Sequence, residues 1–228
     1  MIEFDLARSS VRALNERLHR LTPQTTEVYW RVLNPNGAHA IAVGITEPVQ
    51  IEIKGHVGYY CAGMNAAGTV VVDGHAGTGL AENIMSGLIR VRGNASQSAA
   101  ASGRGGLVVI EGDASARCGI SMKGVDIVVG GSVGHMSAFM GQKGALVVCG
   151  DAGHDLGDSL YEAEIFVGGA VASLGADCVE KEMTQADVER VAALLDRAAI
   201  TADATRFRRY GSARRLYNFH VDHAAEYR

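Results

Sequence analysis

The sequence predicts an all-β fold: a single-stranded, right-handed parallel β-helix of about seven nineteen-residue coils, with an N-terminal helix/hairpin cap and a C-terminal helix and tail. Three observations predict it. Gly55, Gly74, Gly93, Gly112, Gly131, Gly150 and Gly169 recur at one strict spacing of nineteen residues. A short, mostly β-branched run precedes each: IEIK, VVVD, IRVR, VVIE, IVVG, LVVC and IFVG. Seven positions after each glycine the residue is tiny, at Ala62, Ala81, Ala100, Gly119, Ala138, Gly157 and Ala176. Self-similarity at one period, without insertion or deletion, is the mark of a solenoid.

Within each run the positions four and two before the glycine are apolar, from Ile51 and Ile53 through Val70 and Val72 to Ile165 and Val167. Period-two alternation marks one buried strand face. Between these positions Glu52, Lys54, Arg90 and Arg92 point outward. Nineteen residues are too few for two packed helices and carry no helical stripe. They suit one coil with a perimeter of roughly 60 Å at ~3.3 Å per residue. The glycine marks a corner that needs positive φ or close backbone approach. Right-handed winding is expected because parallel crossovers are right-handed in about 98% of cases. The outward residues Lys54, Asp73, Arg92 and Glu111 alternate in sign on successive coils, as stacked neighbours prefer. Each exposed pair contributes only ~0.5 kcal/mol, so the ladder speaks for register more than for stability.

Residues 1–48 read as a cap over the solenoid's exposed end. A helix is predicted over residues 9–21, capped by Ser9 or Ser10, striped by Val11, Leu14, Leu18 and Leu21, and stopped by Thr22-Pro23. Two β-like segments follow, Glu27 to Leu33 and Ala38 to Ile45. The Asn34-Pro35-Asn36-Gly37 between them is hairpin-turn chemistry. All three prolines fall in this region and none in the coils, where proline would delete ladder donors. The coils occupy residues 49–180. In the last segment, 181–228, Thr184 opens a second helix with Val188, Val191, Leu194 and Leu195 facing inward. From Asp203 onward the tail mixes arginine and aromatic residues without a period of its own.

A net charge of −4 argues against a general nucleic-acid binder. With no apolar run near ~20 residues and no signal-peptide pattern, a cytoplasmic location is expected. Cys61, Cys118, Cys149 and Cys178 contain no CxxC pair. Cys61 and Cys118 share a repeat position three coils apart, about 14 Å by strand spacing and too far for a disulfide. They read as buried structural thiols. Gly74-His75-Ala76-Gly77-Thr78-Gly79 fits neither phosphate-loop pattern. The pairs His56/His75 and His135/His154 stack on adjacent coils, yet no carboxylate or cysteine completes a metal set, so corner histidines are the reading. His154, Asp155 and Ser159 lie close in sequence, but neighbours around one coil point different ways and a triad needs convergence. No catalytic, cofactor-binding or metal residue is therefore assigned to this chain.

One outward column is more informative. Three residues before each glycine it reads Glu52, Val71, Arg90, Val109, Val128, Val147 and Phe166. The last four form an apolar stripe on the outside. Such a stripe marks a partner surface or the bed of the chain's own C-terminal helix, and both coverings remain open at this point. The candidate partner interface comprises Val109, Val128, Val147 and Phe166. It also includes the tail residues Arg208, Arg209, Tyr210, Arg214, Arg215 and Tyr217.

The glycine-rich coil, over roughly residues 49–180, resembles the GXGXG β-helix domain at the C-terminus of the glutamate synthase large subunit. Gly58-Tyr59-Tyr60-Cys61-Ala62-Gly63-Met64-Asn65, Ala81-Glu82-Asn83-Ile84-Met85-Ser86-Gly87 and Gly134-His135-Met136-Ser137-Ala138-Phe139-Met140 are similar to the small β-helix subunit of N-methylglutamate synthase (methylamine–glutamate N-methyltransferase). So is the tail from Arg208 to Asp222. The formylmethanofuran dehydrogenase complex holds a related coil. The resemblance implies a multi-subunit enzyme that joins methylamine to L-glutamate and releases ammonia. It implies a class II amidotransferase-like partner and an FMN-binding partner, with the FMN and an iron–sulfur cluster on the latter. This chain begins Met1-Ile2 rather than with cysteine, and lacks clustered cysteines and room for a (β/α) barrel. It is expected to be a structural, non-catalytic subunit that positions the two catalytic ones. The alternatives are a subunit of another complex of this type, or a free-standing carbohydrate-active or carbohydrate-binding solenoid. The latter would display aromatic or carboxylate rows, whereas the solenoid has only Tyr59, Tyr60, Phe139, Tyr161 and Phe166.

Overall fold

The computed structural model describes residues 1–214. Each coil contributes one short strand to a shared parallel sheet: β3 (Gln50–Lys54), β4 (Thr69–Val72), β5 (Leu88–Val91), β6 (Leu107–Ile110), β7 (Lys123–Val129), β8 (Lys143–Val148) and β9 (Glu164–Val167). Identical repeat positions lie side by side, so Ile51 pairs with Val70, Val70 with Ile89, Ile89 with Val108, and the register runs on to Leu146 beside Ile165. The inward residues of these strands are fully buried, and with Leu80, Ile84, Leu156 and Leu160 they form one continuous core.

The N-terminal region departs from the hairpin expectation. Strand β1 (Ile2–Asp5) runs parallel to β2 (Tyr29–Leu33), and β2 runs parallel to β3, with Trp30 beside Ile51. Ala38 to Ile45 is not a strand. The Gly37 amide donates to His56 O at 3.0 Å, the Gly58 amide to Ala38 O at 2.8 Å, and the Ala62 amide to Ile41 O at 2.9 Å. Residues 29–48 therefore wind as a further, slightly longer coil, which the nineteen-residue period misses. Asn34, Asn36 and Gly37 do supply positive φ (55°, 44° and 72°), but they turn a coil corner rather than reverse the chain. Helix α1 (Val11–Leu18), capped by Ser10, buries Leu14 and Leu18 against this end.

At the far end the chain reverses. Strand β11 (Arg208–Ser212) pairs antiparallel with β9 on one side and with β10 (Cys178–Lys181) on the other. The antiparallel strand ends the stack of parallel coils. Helix α2 (Gln185–Arg197) lies between β10 and β11 in sequence. Thr184 and Asp187 form its capping box, which satisfies amides that the first helical turn leaves without partners.

The second side of each coil is not a regular strand. Tyr60, Ala62 and Met64 have φ of 60°, 54° and 55°; Ser98, Ala100 and Ser102 have 60°, 56° and 55°; Met136, Ala138 and Met140 have 54°, 57° and 52°. Left-handed conformations cost about 1–2 kcal/mol for a residue with a β-carbon. Their amides find partners on neighbouring coils: Tyr60 N–H to Thr78 O at 2.9 Å, Ala62 to Ile41 O at 2.9 Å, Met64 to Glu82 O at 2.8 Å. The alternation sends successive amides up and down the stack. The middle member, with Ala62, Ala81, Ala100 and Ala138 each 0% exposed, is the tiny position of the repeat. A branched side chain there would add strain to crowding.

The glycine column has a different reason. Of the seven glycines only Gly55 has positive φ (136°); the others are required by close approach. A β-carbon on Gly74 would lie 2.8 Å from Gly55 O, and one on Gly150 would lie 2.6 Å from Ser132 Oγ. The residue after each of the first six glycines reaches to the next coil. His56 Nδ1 accepts from the His75 amide (2.9 Å), His75 Nδ1 from Asn94 (2.8 Å), Asn94 Oδ1 from Asp113 (3.0 Å) and Asp113 Oδ1 from Ser132 (2.7 Å). Ser132 Oγ accepts from Asp151 (3.0 Å) and Asp151 Oδ1 from Ala170 (2.7 Å). This polar ladder satisfies the corner amides, and only a residue without a β-carbon leaves it room.

Gly112→Val should therefore destabilise the fold by about 1–3 kcal/mol, because its β-carbon would meet Asn94 Oδ1 and lie 3.0 Å from Gly93 O. Gly211→Val, where the nearest side-chain atom is 3.5 Å away, should cost much less. Thermal denaturation of the two variants checks this, and equal shifts would contradict the close-approach account.

Candidate functional site

The outer apolar stripe is covered by the chain itself. Val109, Val128, Val147 and Phe166 are each 0% exposed and pack with Val191, Leu194 and Leu195 of α2, with its C-cap Ala198, and with Ala204 and Phe207 beyond it. Polar contacts fasten the helix along the same face. Arg190 pairs with Glu164, and Arg197 lies 3.6 Å from Asp126. Arg90 bonds Glu111 at 2.7 Å and the Ala198 carbonyl at 2.5 Å. Of the two coverings open to the sequence, the structure shows the C-terminal helix. These four residues are buried within the chain, so the reading of them as a partner surface is corrected.

The tail residues are also used internally. Tyr210 is 2% exposed within the main core, where burial pushes its phenol pKa up. Arg208 Nη2 donates to Gly169 O at 2.8 Å. Arg209 lies 2.6 Å from Glu164 and 3.3 Å from Asp187. Arg214 pairs with Asp177. The Arg/aromatic pattern up to Arg214 thus anchors β11 to the last coils. Arg215 and Tyr217 lie outside the described residues.

The groups weighed for chemistry are committed elsewhere or kept apart. Burial pushes the Cys61 and Cys118 thiols up to about 12 and Cys178 up to about 11, so none supplies a ready thiolate. His56 and His75 stack at 4.9 Å. Because each accepts an amide hydrogen at Nδ1, its hydrogen sits on Nε2 and leaves no lone pair there for a metal. His154 Nδ1 lies 3.4 Å from Ser173 Oγ, whereas Ser159 Oγ donates to Asp158 Oδ1 at 2.7 Å; His154, Asp155 and Ser159 do not converge as a triad. Among the described residues no group of three or more His, Cys, Asp or Glu is placed to hold a metal ion. No helix among them is long and apolar enough to cross a membrane.

The alternating charges stand for three rungs. Lys54 lies 2.6 Å from Asp73, and Arg92 lies 3.1 Å from it, while Glu111 turns to Arg90. Asp73 and Glu52 hold the Lys54 ammonium above its ordinary pKa by hydrogen bonding. Beyond the end of α2, the outer face of the first strands stays open as a groove of about 360 Å³. Tyr29, Gln50, Glu52, Thr69, Val71 and Arg92 are among its lining residues. The sequence missed this groove because Tyr29 belongs to the coil that lies outside the period.

A comparison of the whole chain adds the family. Over 224 residues the chain is 57% identical to "Protein GlxC" of Rhizobium meliloti (strain 1021), covering 98% of each. It belongs to the GlxC family. The GlxC match spans the solenoid and both of its ends, so the likeness is to the whole chain and not to the coil alone. No protein-family model matches the sequence, and no solved structure matches the fold.

Two outcomes test the helix-covered face. Val128→Asp with Val147→Asp should destabilise the isolated chain by about 4 kcal/mol or more, through two unpaired buried carboxylates; an unchanged melting temperature would contradict the packing. Asp187 is a finer probe. Burial raises its pKa, but hydrogen bonds from Thr184 and the charge of Arg209 outweigh this and hold it below its ordinary value. A depressed folded-state pKa gives stability that is present above the unfolded value and lost as pH falls through the folded one. Asp187→Asn should therefore be less stable than wild type at neutral pH, with the difference shrinking below about pH 4. A difference that is constant with pH in chemical denaturation would refute it.

Proposed function

We propose that the chain is the non-catalytic β-helix subunit of a glutamate-synthase-like complex that forms N-methyl-L-glutamate from methylamine and L-glutamate with release of ammonia. One observation carries the reading. The three segments that resemble the N-methylglutamate synthase subunit, 58–65, 81–87 and 134–140, fall on equivalent left-handed corners of the stack, through Tyr60, Ala62 and Met64, Ala81 and Asn83, and Met136, Ala138 and Met140. The resemblance therefore follows the coil geometry and not scattered identities. The relative named GlxC is matched along its whole length, which supports reading the chain as one unit of this kind.

The chain's own chemistry supports a structural role. His56 and His75 hold backbone amides, the cysteines are raised by burial, and the stacked register makes a stiff body held together by nearest-neighbour coils. A stiff body can hold two catalytic subunits at a fixed separation. In this reading a class II amidotransferase-like subunit handles ammonia, and an FMN-binding subunit with an iron–sulfur cluster carries the flavin chemistry.

The experiment is purification of the tagged chain alone and from its native source. The isolated chain should show no glutaminase activity, no flavin absorbance and no methylamine transfer. Material from the source should carry amidotransferase-like and flavin-binding subunits and form N-methylglutamate. Stoichiometric FMN or iron on the single chain, or native material that contains this chain alone, would overturn the proposal.

A further inference from the structure

One exposed column of the solenoid breaks the charge pattern of the rest. Met85, Arg104 and Lys123 occupy the same repeat position, eleven residues after Gly74, Gly93 and Gly112. Stacking places them in sequence up one face: the Arg104 amide donates to Ile84 O at 2.7 Å, and the Lys123 amide to Gly103 O at 2.6 Å. On the next coil a register shift between β7 and β8 brings Lys143 directly beside Lys123. Arg104, Lys123 and Lys143 are all exposed, and Met85 beside them is 46% exposed.

Like charges one strand apart repel. On the other outward column the same stacking sets Lys54, Asp73 and Arg92 in alternation and pairs them. Here three cations follow one another. Among the described residues none of them belongs to an ion pair. The cluster also runs against a chain of net charge −4. A repulsive arrangement with no compensating contact in the fold is what a surface shaped for an outside partner shows.

We propose that Arg104, Lys123 and Lys143, with Met85 at their edge, form a docking column for a carboxylate-rich segment of a partner polypeptide. The proposal rests on the subunit reading above. Three cations on successive rungs at ~4.8 Å span about 10 Å, and their long flexible side chains can splay to meet three carboxylates on alternate residues of an extended acidic segment, about 13 Å end to end. Met85 supplies an adaptable apolar contact at the margin. The column is three cations long on a chain of net charge −4, too short to track a nucleic-acid backbone or lie along an anionic membrane, and the subunit reading supplies protein partners, so the occupant is a protein carboxylate segment.

The test uses the full chain, its Arg104→Gln/Lys123→Gln/Lys143→Gln variant, and a control in which exposed Arg20, Arg117 and Arg206 become glutamine. Hexaglutamate should bind the wild type and the control. Binding should weaken as salt rises from about 0.05 M to about 0.3 M and be at least about tenfold weaker in the column variant. The column variant should also melt at a higher temperature, because repulsion is relieved. In material from the native source, a carbodiimide should link the Lys123 or Lys143 amine to an Asp- or Glu-rich peptide of a co-purifying subunit. No hexaglutamate binding, equal loss in the control, or tighter binding of hexathymidylate or phosphatidylserine vesicles would overturn the proposal. If partners co-purify equally with wild type and column variant, the docking column falls and the subunit reading stands. If nothing co-purifies with the wild type, the subunit reading falls, and with it this use of the column.

Discussion

Everything in this molecule depends on identical positions lying directly over one another at strand spacing. Each coil touches only its neighbours, so each repeat position meets copies of itself above and below. A glycine corner is then either repeated in every coil or it blocks the next one. The ladder from His56 to Asp151 needs the space that Gly74, Gly93, Gly112, Gly131, Gly150 and Gly169 leave open, and the ladder in turn satisfies the corner amides. Glycine column and polar ladder are two halves of one device.

Stacking also makes charge placement consequential. A single outward residue becomes a column, and a column of one sign is costly where an alternating one is neutral or better. Lys54, Asp73 and Arg92 show the second solution, and Arg104, Lys123 and Lys143 the first. The same logic holds for apolar residues. Val109, Val128 and Val147 would make a sticky face if left open, and α2 removes them from water. The uncovered groove near Tyr29 and Val71 shows where that cover stops.

The ends of the stack set a separate problem, since the last strand of a sheet leaves amides and carbonyls free. At the N-terminal end the longer coil is covered both by the short acidic strand β1, paired with β2, and by α1, whose Asn15 donates to Ala40 O. At the C-terminal end the chain turns antiparallel, so β11 sits between β9 and β10. Arg209, braced between Glu164 and Asp187, ties this closing strand to both the last coil and the helix. Arg208, Arg209 and Arg214, which look like part of a docking tail in sequence, fasten this end.

The sequence by itself determined the repeat, because periodicity is local and each coil writes the same constraints: Ile51 and Ile53 inward, Gly55 at the corner, Ala62 at the narrow side. It also marked the apolar stripe at Val109 to Phe166. It did not determine what covers that stripe, because α2 meets it across a separation of dozens of residues and an amphipathic face does not name its partner. It misread Asn34 to Gly37, since a turn motif fixes the local bend but not whether the chain then reverses or climbs. The partners of Arg90, Glu111 and Arg209 were likewise decided only by the tertiary structure. A long side chain chooses among charges that folding brings within reach, and that choice depends on distances no linear spacing contains.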